Sequence, residues 1–301
     1  MVGPMRTRAV AAVAGVVALL AACTGPSGDV ASPTSPATGT SGASIAPTGS
    51  ASATPTDSAR LAEVPDVPEP PAENACYLLE FDDLPRTSND NNPVPCGRRH
   101  NAQTIHVGKL DAVVDGRPTT LDSRAVQHQV STTCPRRLAR YIGGDRSTRA
   151  LSRFHAVWFT PTLEDFGAGA NWFRCDLVAF AGDEQLAELP RPARLAGLLD
   201  NGDALAAWGL CGTAAPGAPA FSRVICSEPH TWRATSTIRI PGGRRYPGAA
   251  RVRSAGDETC ADRVRRLSGS ALRFRYGWEW PTRDQWARGQ HYGFCWAPDR
   301  P

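Results

Sequence analysis

Two histidines stand four residues after a cysteine, and this spacing comes nearest to a metal site in the sequence. His100 follows Cys96 in this way, and His230 follows Cys226. A Cys-x3-His pair could supply half of a zinc site, but no second pair of ligands stands out, and cysteines outside the cytoplasm are oxidised. We therefore expect no bound metal, and we expect each imidazole to form hydrogen bonds at the start of a strand.

Two carboxylates could act in acid–base chemistry. Glu164 and Asp284 follow a Pro-Thr pair and stand beside aromatic residues. A charged residue in this position is more often a helix N-cap or a surface group. The sequence contains none of the Gly-x-Ser-x-Gly, Ser-x-x-Lys and His-Glu-x-x-His motifs of common hydrolases. We therefore expect a protein that is not an enzyme, with no catalytic residue and no cofactor.

Aromatic residues cluster near the end of the sequence, at Trp278, Trp280, Trp286, Tyr292 and Trp296. They could be core residues that pack against a disulfide, because a small unit has little apolar volume of its own. They could instead form an exposed face that binds a sugar ring or a protein partner. The sequence leaves both interpretations open. The candidate binding surface consists of Trp278, Trp280, Trp286, Tyr292 and His230.

The first residues have the pattern of a bacterial export signal. Arg6 and Arg8 precede an uncharged apolar run of about a dozen residues, which ends in Leu20-Ala21-Ala22-Cys23. The run is too short to span a bilayer comfortably, and its last four residues resemble the lipobox, in which a cysteine is acylated. We predict a lipoprotein signal peptide over residues 1–22 and a lipid anchor, such as palmitate, on Cys23.

A segment poor in apolar residues follows the export signal. Residues 24–75 consist mainly of Ser, Thr, Pro, Ala and Gly and contain no aromatic residue. Such a segment cannot bury enough apolar surface to offset its ordering entropy. We predict that residues 23–75 form a lipidated, disordered tether. It would hold the folded part, residues 76–301, at the extracytoplasmic face of the cell membrane.

The folded part contains two sets of four cysteines with similar spacing: Cys76, Cys96, Cys134 and Cys175, then Cys211, Cys226, Cys260 and Cys295. An even number in an exported chain predicts four disulfides. Each set includes a Val-x-Cys-x-x-x-His motif, and the blocks from Phe154 and Phe274 to the last cysteine align without a gap. The folded part is therefore predicted to contain two copies of one unit. We expect disulfides only within copies, pairing Cys76 with Cys96, Cys134 with Cys175, Cys211 with Cys226 and Cys260 with Cys295.

Each copy is predicted to be α+β, with a small antiparallel sheet and a packed helix. Residues 232–240 alternate between apolar and polar types, as in a half-buried strand. The third cysteine and the residues four and seven positions later share one helix face, in sets Cys134, Leu138, Tyr141 and Cys260, Val264, Leu267. Thr132 or Thr133 and Asp257 are the expected N-caps. The predicted boundaries are residues 76–202 for the first copy and 203–301 for the second.

The motifs of the second copy match a known family. They are Cys211, Val224, Cys226, Pro229, His230, Tyr246-Pro247-Gly248, Cys260, Pro281, Thr282, Trp286, Gly289 and Cys295. This set resembles the septum-formation family of actinobacterial envelope proteins. The first copy is degenerate, with Arg99 in place of Pro, Phe166 in place of Trp, and no Tyr-Pro-Gly. The resemblance implies an association with septum formation or cell division, and it names no reaction or ligand.

We therefore interpret the protein as a non-enzymatic, membrane-anchored envelope lipoprotein, an adaptor or binding module associated with septum formation. The alternative is a module that binds or hydrolyses cell-wall carbohydrate through the aromatic segment and Glu164 or Asp284. The expected partners are the membrane, through the lipid, and an envelope or division protein or a wall glycan. The net charge of +7 over residues 76–301 comes almost entirely from arginine. We interpret it as a scattered surface charge, without nucleic-acid binding.

Overall fold

The computed structural model describes residues 67–114, 116–270 and 272–299. Cys23, the predicted signal peptide and most of the predicted tether lie outside these residues. Among the helices within these ranges, none combines the length and the apolar composition needed to cross a membrane.

The first copy contains an antiparallel sheet and three helices. Its strands are β1 (Cys76–Tyr77), β2 (Ala102–Lys109), β3 (Val113–Val114), β4 (Arg117–Pro118), β5 (Phe154–Phe159) and β6 (Trp172–Ala179). Its helices are α1 (Arg124–Ile142), α2 (Arg146–Ala150) and α3 (Leu163–Gly167). The main sheet has the order β1-β2-β6-β5, and β3 and β4 form a separate hairpin. Helix α1 packs on the sheet and buries Cys134 against β6.

The second copy repeats this arrangement. Its helices are α4 (Leu205–Trp208), α5 (Ala249–Ser254), α6 (Asp257–Ser268) and α7 (Arg283–Ala287). Its strands are β7 (Leu210–Gly212), β8 (Arg223–Ile225), β9 (Trp232–Arg239), β10 (Gly277–Glu279) and β11 (Tyr292–Pro298). The sheet order is β10-β11-β9-β7-β8, and an isolated bridge between Cys76 and Val94 takes the place of β8 in the first copy. The α+β prediction is confirmed.

Both copies share an irregularity that supports the duplication. Ile105 in β2 and Thr235 in β9 are skipped in the pairing with the last strand of each copy. Each skipped residue lies nine positions after the second cysteine of its copy. A β-bulge bends and twists a strand at a defined point. Its presence at equivalent positions means that the two sheets have the same shape as well as the same strand order.

The bulge divides the apolar side chains of β9 between two clusters. Trp232 and Ala234 pack in one cluster, and Ile238 and Ile240 pack in another. All four are buried, so the predicted strand is confirmed. Perfect alternation would place all four side chains on one face of the sheet. Because Thr235 is skipped in the pairing, the side chains after it lie on the opposite face from those before it.

The helix of the third cysteine begins earlier in the first copy than predicted. Thr132 and Thr133 lie inside α1, so neither is the N-cap. The cap is Ser123, whose hydroxyl accepts a hydrogen bond from the Val126 amide at 3.3 Å. Val126 lies two turns before Cys134 and is fully buried. Its burial stabilises the turns of α1 that precede the predicted start.

The helix predictions for the second copy need two corrections. Asp257 is the first residue of α6, and the N-cap is Gly256. Cys260 and Val264 are buried as predicted, but Leu267 is 67% exposed. The helical period places Leu267 on the predicted face, but its side chain borders an open groove instead of the core.

The second copy has two helices, α5 and α6, where the first has the single helix α1. The break falls at Gly256, whose counterpart in α1 is Val130. A Cβ atom at Gly256 would stand 2.3 Å from the Trp278 ring. Trp278 is buried in this space, whereas its counterpart Trp158 is only partly buried. The second copy thus has a glycine at the break, which leaves room for its tryptophan, whereas the first copy has a valine there and a continuous helix.

The two copies share their hydrophobic cores. Ile225 of the second copy lies in a cluster of first-copy residues, and Leu151 of the first copy lies in a cluster of second-copy residues. The Leu210 amide donates to the Leu151 carbonyl at 2.7 Å, and the Ile225 amide donates to the Ala181 carbonyl at 2.9 Å. The described residues accordingly belong to one compact unit.

Candidate functional site

The cysteines form four disulfides, each within one copy. The pairs are Cys76–Cys96, Cys134–Cys175, Cys211–Cys226 and Cys260–Cys295, which is the expected pairing. In each copy the first disulfide joins the segments before the long strand. The second joins the central helix to the last strand.

One group of side chains has the composition of a metal site. Cys211, Cys226 and His230 place their possible ligand atoms within 4.8 Å of one another. The two sulfur atoms are joined in a disulfide, so neither is a thiolate that could bind zinc. His230 would be the single remaining ligand of this group.

His230 belongs to a network at the end of β11. Its Nδ1 lies 2.7 Å from the Glu228 carbonyl oxygen, and its Nε2 lies 2.9 Å from Asp299 Oδ2. Each ring nitrogen therefore faces an oxygen atom that can accept a hydrogen bond. Arg233 Nε donates to the same carboxylate oxygen at 2.6 Å, and its Nη1 donates to the Leu205 carbonyl at 2.9 Å. The network fastens the end of the last strand to β9, beside a cavity of about 490 Å³.

The charges of this network act on Asp299. Partial burial works to raise the pKa of the Asp299 carboxyl, but hydrogen bonds and positive charge from His230 and Arg233 outweigh it. The pKa therefore lies below its ordinary value of 3.8.

His100, the counterpart of His230 in the first copy, has no carboxylate partner among the described residues. His100 is fully buried, and its Nδ1 lies 2.8 Å from the Arg98 carbonyl oxygen. Its Nε2 has no hydrogen-bond partner among the residues that the structure describes. The counterpart of Asp299 is Ala179. Both histidines thus bond at the start of a strand, as expected, but a carboxylate partner is present only in the second copy.

The aromatic cluster belongs mainly to the core. Trp278, Trp286 and Trp296 are 7%, 1% and 0% exposed, respectively. The expectation of a binding surface is wrong for Trp278 and Trp286, because both pack with the Cys260–Cys295 disulfide. Trp280 and Tyr292 are partly exposed, so they alone among these aromatics can contact a ligand.

The Tyr-Pro-Gly motif of the second copy packs against Trp286. The Tyr246 ring stands edge-on to Trp286 with centroids 6.0 Å apart, and its hydroxyl donates to the Pro281 carbonyl at 3.4 Å. Gly248 has a φ of 100°, which strongly favours glycine. The motif residues therefore support one another, and the first copy, with Phe166 and the β3–β4 hairpin, lacks this arrangement.

Glu164 and Asp284 lie in the first turns of α3 and α7. The N-caps are Thr162 and Thr282, whose hydroxyls accept hydrogen bonds from the third residue of each helix. Glu164 and Asp284 are both exposed. Carboxylates at a helix N-terminus are stabilised by the helix dipole, so their position has a structural explanation without catalysis.

Two ion pairs escaped the sequence interpretation, one buried in the first copy and one partly exposed in the second. In the first copy Arg174 Nε lies 3.1 Å from Asp176 Oδ2, without hydrogen-bond alignment, and the guanidinium stands 3.8 Å from the Tyr77 ring centroid. Burial raises the pKa of Asp176, and the charge of Arg174 opposes this. The available signal was the pair of opposite charges two positions apart on β6, which places them on one face.

The second copy has its ion pair elsewhere on the sheet. Arg223 donates to Glu279, and Trp296 Nε1 donates to the other carboxylate oxygen of Glu279 at 3.0 Å. Burial raises the pKa of Glu279, and the charge of Arg223 works against it. The counterparts of Arg174 and Asp176 in this copy are aromatic residues. The two sheets therefore bury different kinds of side chain at these equivalent positions.

A large open groove lies on the second copy beside the end of α6. Its volume is about 1070 Å³, and we call it the α6 groove. Val264, Leu267 and Phe274 form its apolar wall, and Arg273 and Arg275 are exposed at its rim. It is a cleft with both apolar and polar walls and with arginines along one side, and it is the strongest candidate for a binding site.

The positive charge of the folded part is concentrated, which corrects the interpretation of a scattered surface. Residues 239–288 contain 12 arginines and five acidic residues, a net charge of +7. The first copy has 15 basic and 15 acidic residues. All the arginines of this segment except Arg263 are exposed. The excess positive charge is therefore carried by one stretch of the second copy, which contains α5, α6 and α7.

A family model for septum formation matches two ranges of the chain, residues 45–152 and 145–295. The chain belongs to the septum-formation family. The matched ranges include both Val-x-Cys-x-x-x-His motifs, all eight paired cysteines and the groove residues before Ala297. No curated protein and no solved structure matches the chain.

Proposed function

We propose that this septum-formation protein is a non-enzymatic lipoprotein of the bacterial cell envelope that acts as an adaptor or binding module during septum formation. The observation that carries the proposal is the match of the septum-formation family in two ranges that together span most of the chain. Four disulfides support a location outside the cytoplasm, because thiols are kept reduced inside it.

The side chains that could have done chemistry support a binding role. The cysteines are paired, His230 and Asp299 hold a strand end, and Glu164 and Asp284 stand at helix starts. The wall-hydrolase alternative required an exposed aromatic segment beside one of these carboxylates, and Trp278 and Trp286 are buried. The exposed α6 groove and the exposed arginines of residues 239–288 offer surfaces on which partners can bind.

Localisation in dividing cells tests the septal role. A fluorescent fusion of the full chain is expected to concentrate at the division site, and deletion of the gene is expected to lengthen the cells. An even distribution around the envelope together with unchanged cell length would contradict the proposal. Release of soluble fragments from purified peptidoglycan would contradict its non-enzymatic part.

The lipid anchor is tested at Cys23. We expect Cys23→Ala to release the protein from the membrane fraction, because the acyl chains that hold it can no longer be attached. Thr24→Ala, beside it, is the matched control and is expected to stay in the membrane. A Cys23→Ala chain that resists a carbonate wash would place the anchor elsewhere.

A further inference from the structure

The α6 groove of the second copy has a counterpart in the first copy. Six groove residues are Val264, Leu267, Ser268, Phe274, Ala297 and Asp299. Measured from the third or fourth cysteine, their counterparts are Leu138, Tyr141, Ile142, Phe154, Leu177 and Ala179. All six counterparts belong to one hydrophobic cluster. The surface that is an open groove in the second copy is therefore covered in the first.

The cover has two parts. Ile225 and Trp208 of the second copy contribute to it, and the Trp208 ring stacks on Phe154 with centroids 5.0 Å apart. The other part is a segment of the first copy, in which Leu189, Leu195 and Leu199 are 2%, 0% and 1% exposed. The segment is also held through its backbone, since the Leu189 amide donates to the His100 carbonyl and the Leu199 amide to the Ile142 carbonyl, both at 2.9 Å. The first copy thus shows what this type of groove accepts: an irregular segment that inserts leucine side chains.

An arginine at the edge of each groove adds a polar contact. In the first copy Arg153 donates from Nε to the Phe180 carbonyl at 3.0 Å and from Nη2 to the Gly182 carbonyl at 2.9 Å. Both acceptors lie in the chain that leads into the covering segment. The counterpart of Arg153 in the second copy is Arg273, which is exposed at the rim of the α6 groove.

The sequence contains a second segment of the covering type. Residues 186–190, which include Leu189, read Leu-Ala-Glu-Leu-Pro, and residues 61–65 read Leu-Ala-Glu-Val-Pro. Asp66 follows the second segment, so two acidic residues accompany its apolar side chains. Residues 61–66 lie outside the described residues. The chain therefore has two equivalent grooves and two similar segments. In the first copy, the groove is already covered by the segment that contains Leu189.

We propose that the α6 groove is a docking site for residues 61–65 of this chain. Val64 would enter the groove beside Phe274, as Leu189 enters the cluster of the first copy, and Leu61 would pack next to it, because its counterpart Leu186 packs in a separate cluster. Glu63 and Asp66 would face Arg273 and Arg275, and Arg273 would also donate to a backbone carbonyl, as Arg153 does. The α6 groove has Ser268 and Ala297 where the first copy has isoleucine and leucine, so it buries less apolar surface and binds more weakly. This contact is a reversible counterpart of the permanent one in the first copy.

Photocrosslinking from the groove tests the proposal in the full chain with Cys23→Ser. A benzoylphenylalanine at Leu267, which is 67% exposed, is expected to crosslink to residues 61–65. After reduction and trypsin digestion these residues lie in the peptide 61–86. The matched control is the same group at Leu163, which is 71% exposed on the first copy and is expected to give no such product. A monomeric or a dimeric product supports the proposal equally, and its mass shows which molecule supplies the segment.

Two variants make the test specific. Leu61→Asp with Val64→Asp is expected to lower the crosslink yield by about tenfold, since each removes one buried aliphatic side chain. Arg273→Ala is expected to lower it severalfold, whereas Arg266→Ala, an equal loss of charge on α6, is expected to leave it unchanged. Unfolding midpoints of all variants are compared to confirm intact folding. Crosslinks from position 267 that miss residues 61–65, or that persist in the double variant, would overturn the proposal.

Discussion

The Trp286 side chain is closely packed by its neighbours. Its Nε1 donates to the Gly243 carbonyl at 3.1 Å, and its ring stacks on His291 with centroids 4.2 Å apart. A Cβ atom at Gly242 would stand 2.9 Å from the ring. Trp280, six residues earlier, is partly exposed and lies 4.9 Å beneath the Arg253 guanidinium. Trp280 and Trp286 are therefore the same residue type in the same copy, with different burial, and substitutions of the two can be compared directly.

We expect Trp286→Ala to lower the free energy of unfolding by about 3–5 kcal/mol, because it leaves a cavity in the core. Trp280→Ala, which removes a partly exposed ring, is expected to cost about 1 kcal/mol. Urea unfolding of the two variants measures the difference. Similar losses in both would show that the burial of Trp286 does not govern its contribution.

Asp299 gives the stability a defined dependence on pH. Its pKa is lowered in the fold, so the ionised carboxyl stabilises the fold fully above the unfolded value of 3.8, and this contribution is lost as the pH falls through the folded value. Asp299→Asn is expected to cost about 1–2 kcal/mol near pH 7, and the difference from the parent is expected to shrink as the pH falls below 3.8. Denaturant unfolding at several pH values measures it, with the exposed Glu228→Gln as control. A cost that is independent of pH would contradict this account.

At the scale of elements, the break between α5 and α6 depends on one close approach. We expect Gly256→Ala to lower the free energy of unfolding by about 1–3 kcal/mol, because its Cβ would overlap the Trp278 ring. Gly243→Ala is the matched control, since a Cβ there meets nothing within 4 Å. Thermal unfolding compares them. Equal midpoints would show that the ring moves aside without cost.

The elements also show where sequence patterns are informative. The buried positions of β9 and of α6 around Cys260 and Val264 follow from their periods of two and 3.6 residues. The early part of α1 follows the same helical period, since Val126, Val130 and Cys134 lie four residues apart and are all buried; the prediction of an N-cap at Thr132 or Thr133 overlooked this pattern. The bulge at Thr235 could not be predicted, since a skipped residue depends on the partner strand.

At the scale of the whole molecule, the duplication and the disulfide pairing could be predicted because cysteines and their neighbours keep a fixed order. The burial of Trp286 could not, because it depends on how Tyr246 and Gly242 pack around the ring. Arg174 and Asp176 could be placed on one strand face, but their burial depends on which segment covers the sheet. The same holds for the α6 groove. Its residues are ordinary in sequence, and they form a site because the segment that covers their counterparts, which carries Leu189 and Leu199, belongs to the first copy alone.

The shared core predicts how the two copies unfold. Ile225 packs among first-copy residues and Leu151 among second-copy residues, so neither copy has a complete core without the other. We expect one cooperative transition in urea, and we expect Ile225→Ala to cost about 2–5 kcal/mol and to destabilise both copies together. Hydrogen exchange resolved by peptide measures this as faster global exchange in β6 as well as β11. Val264→Ala, buried in a cluster of second-copy residues, is the control of similar size. Two separate transitions, with Ile225→Ala shifting only the second copy, would show that the copies are independent domains.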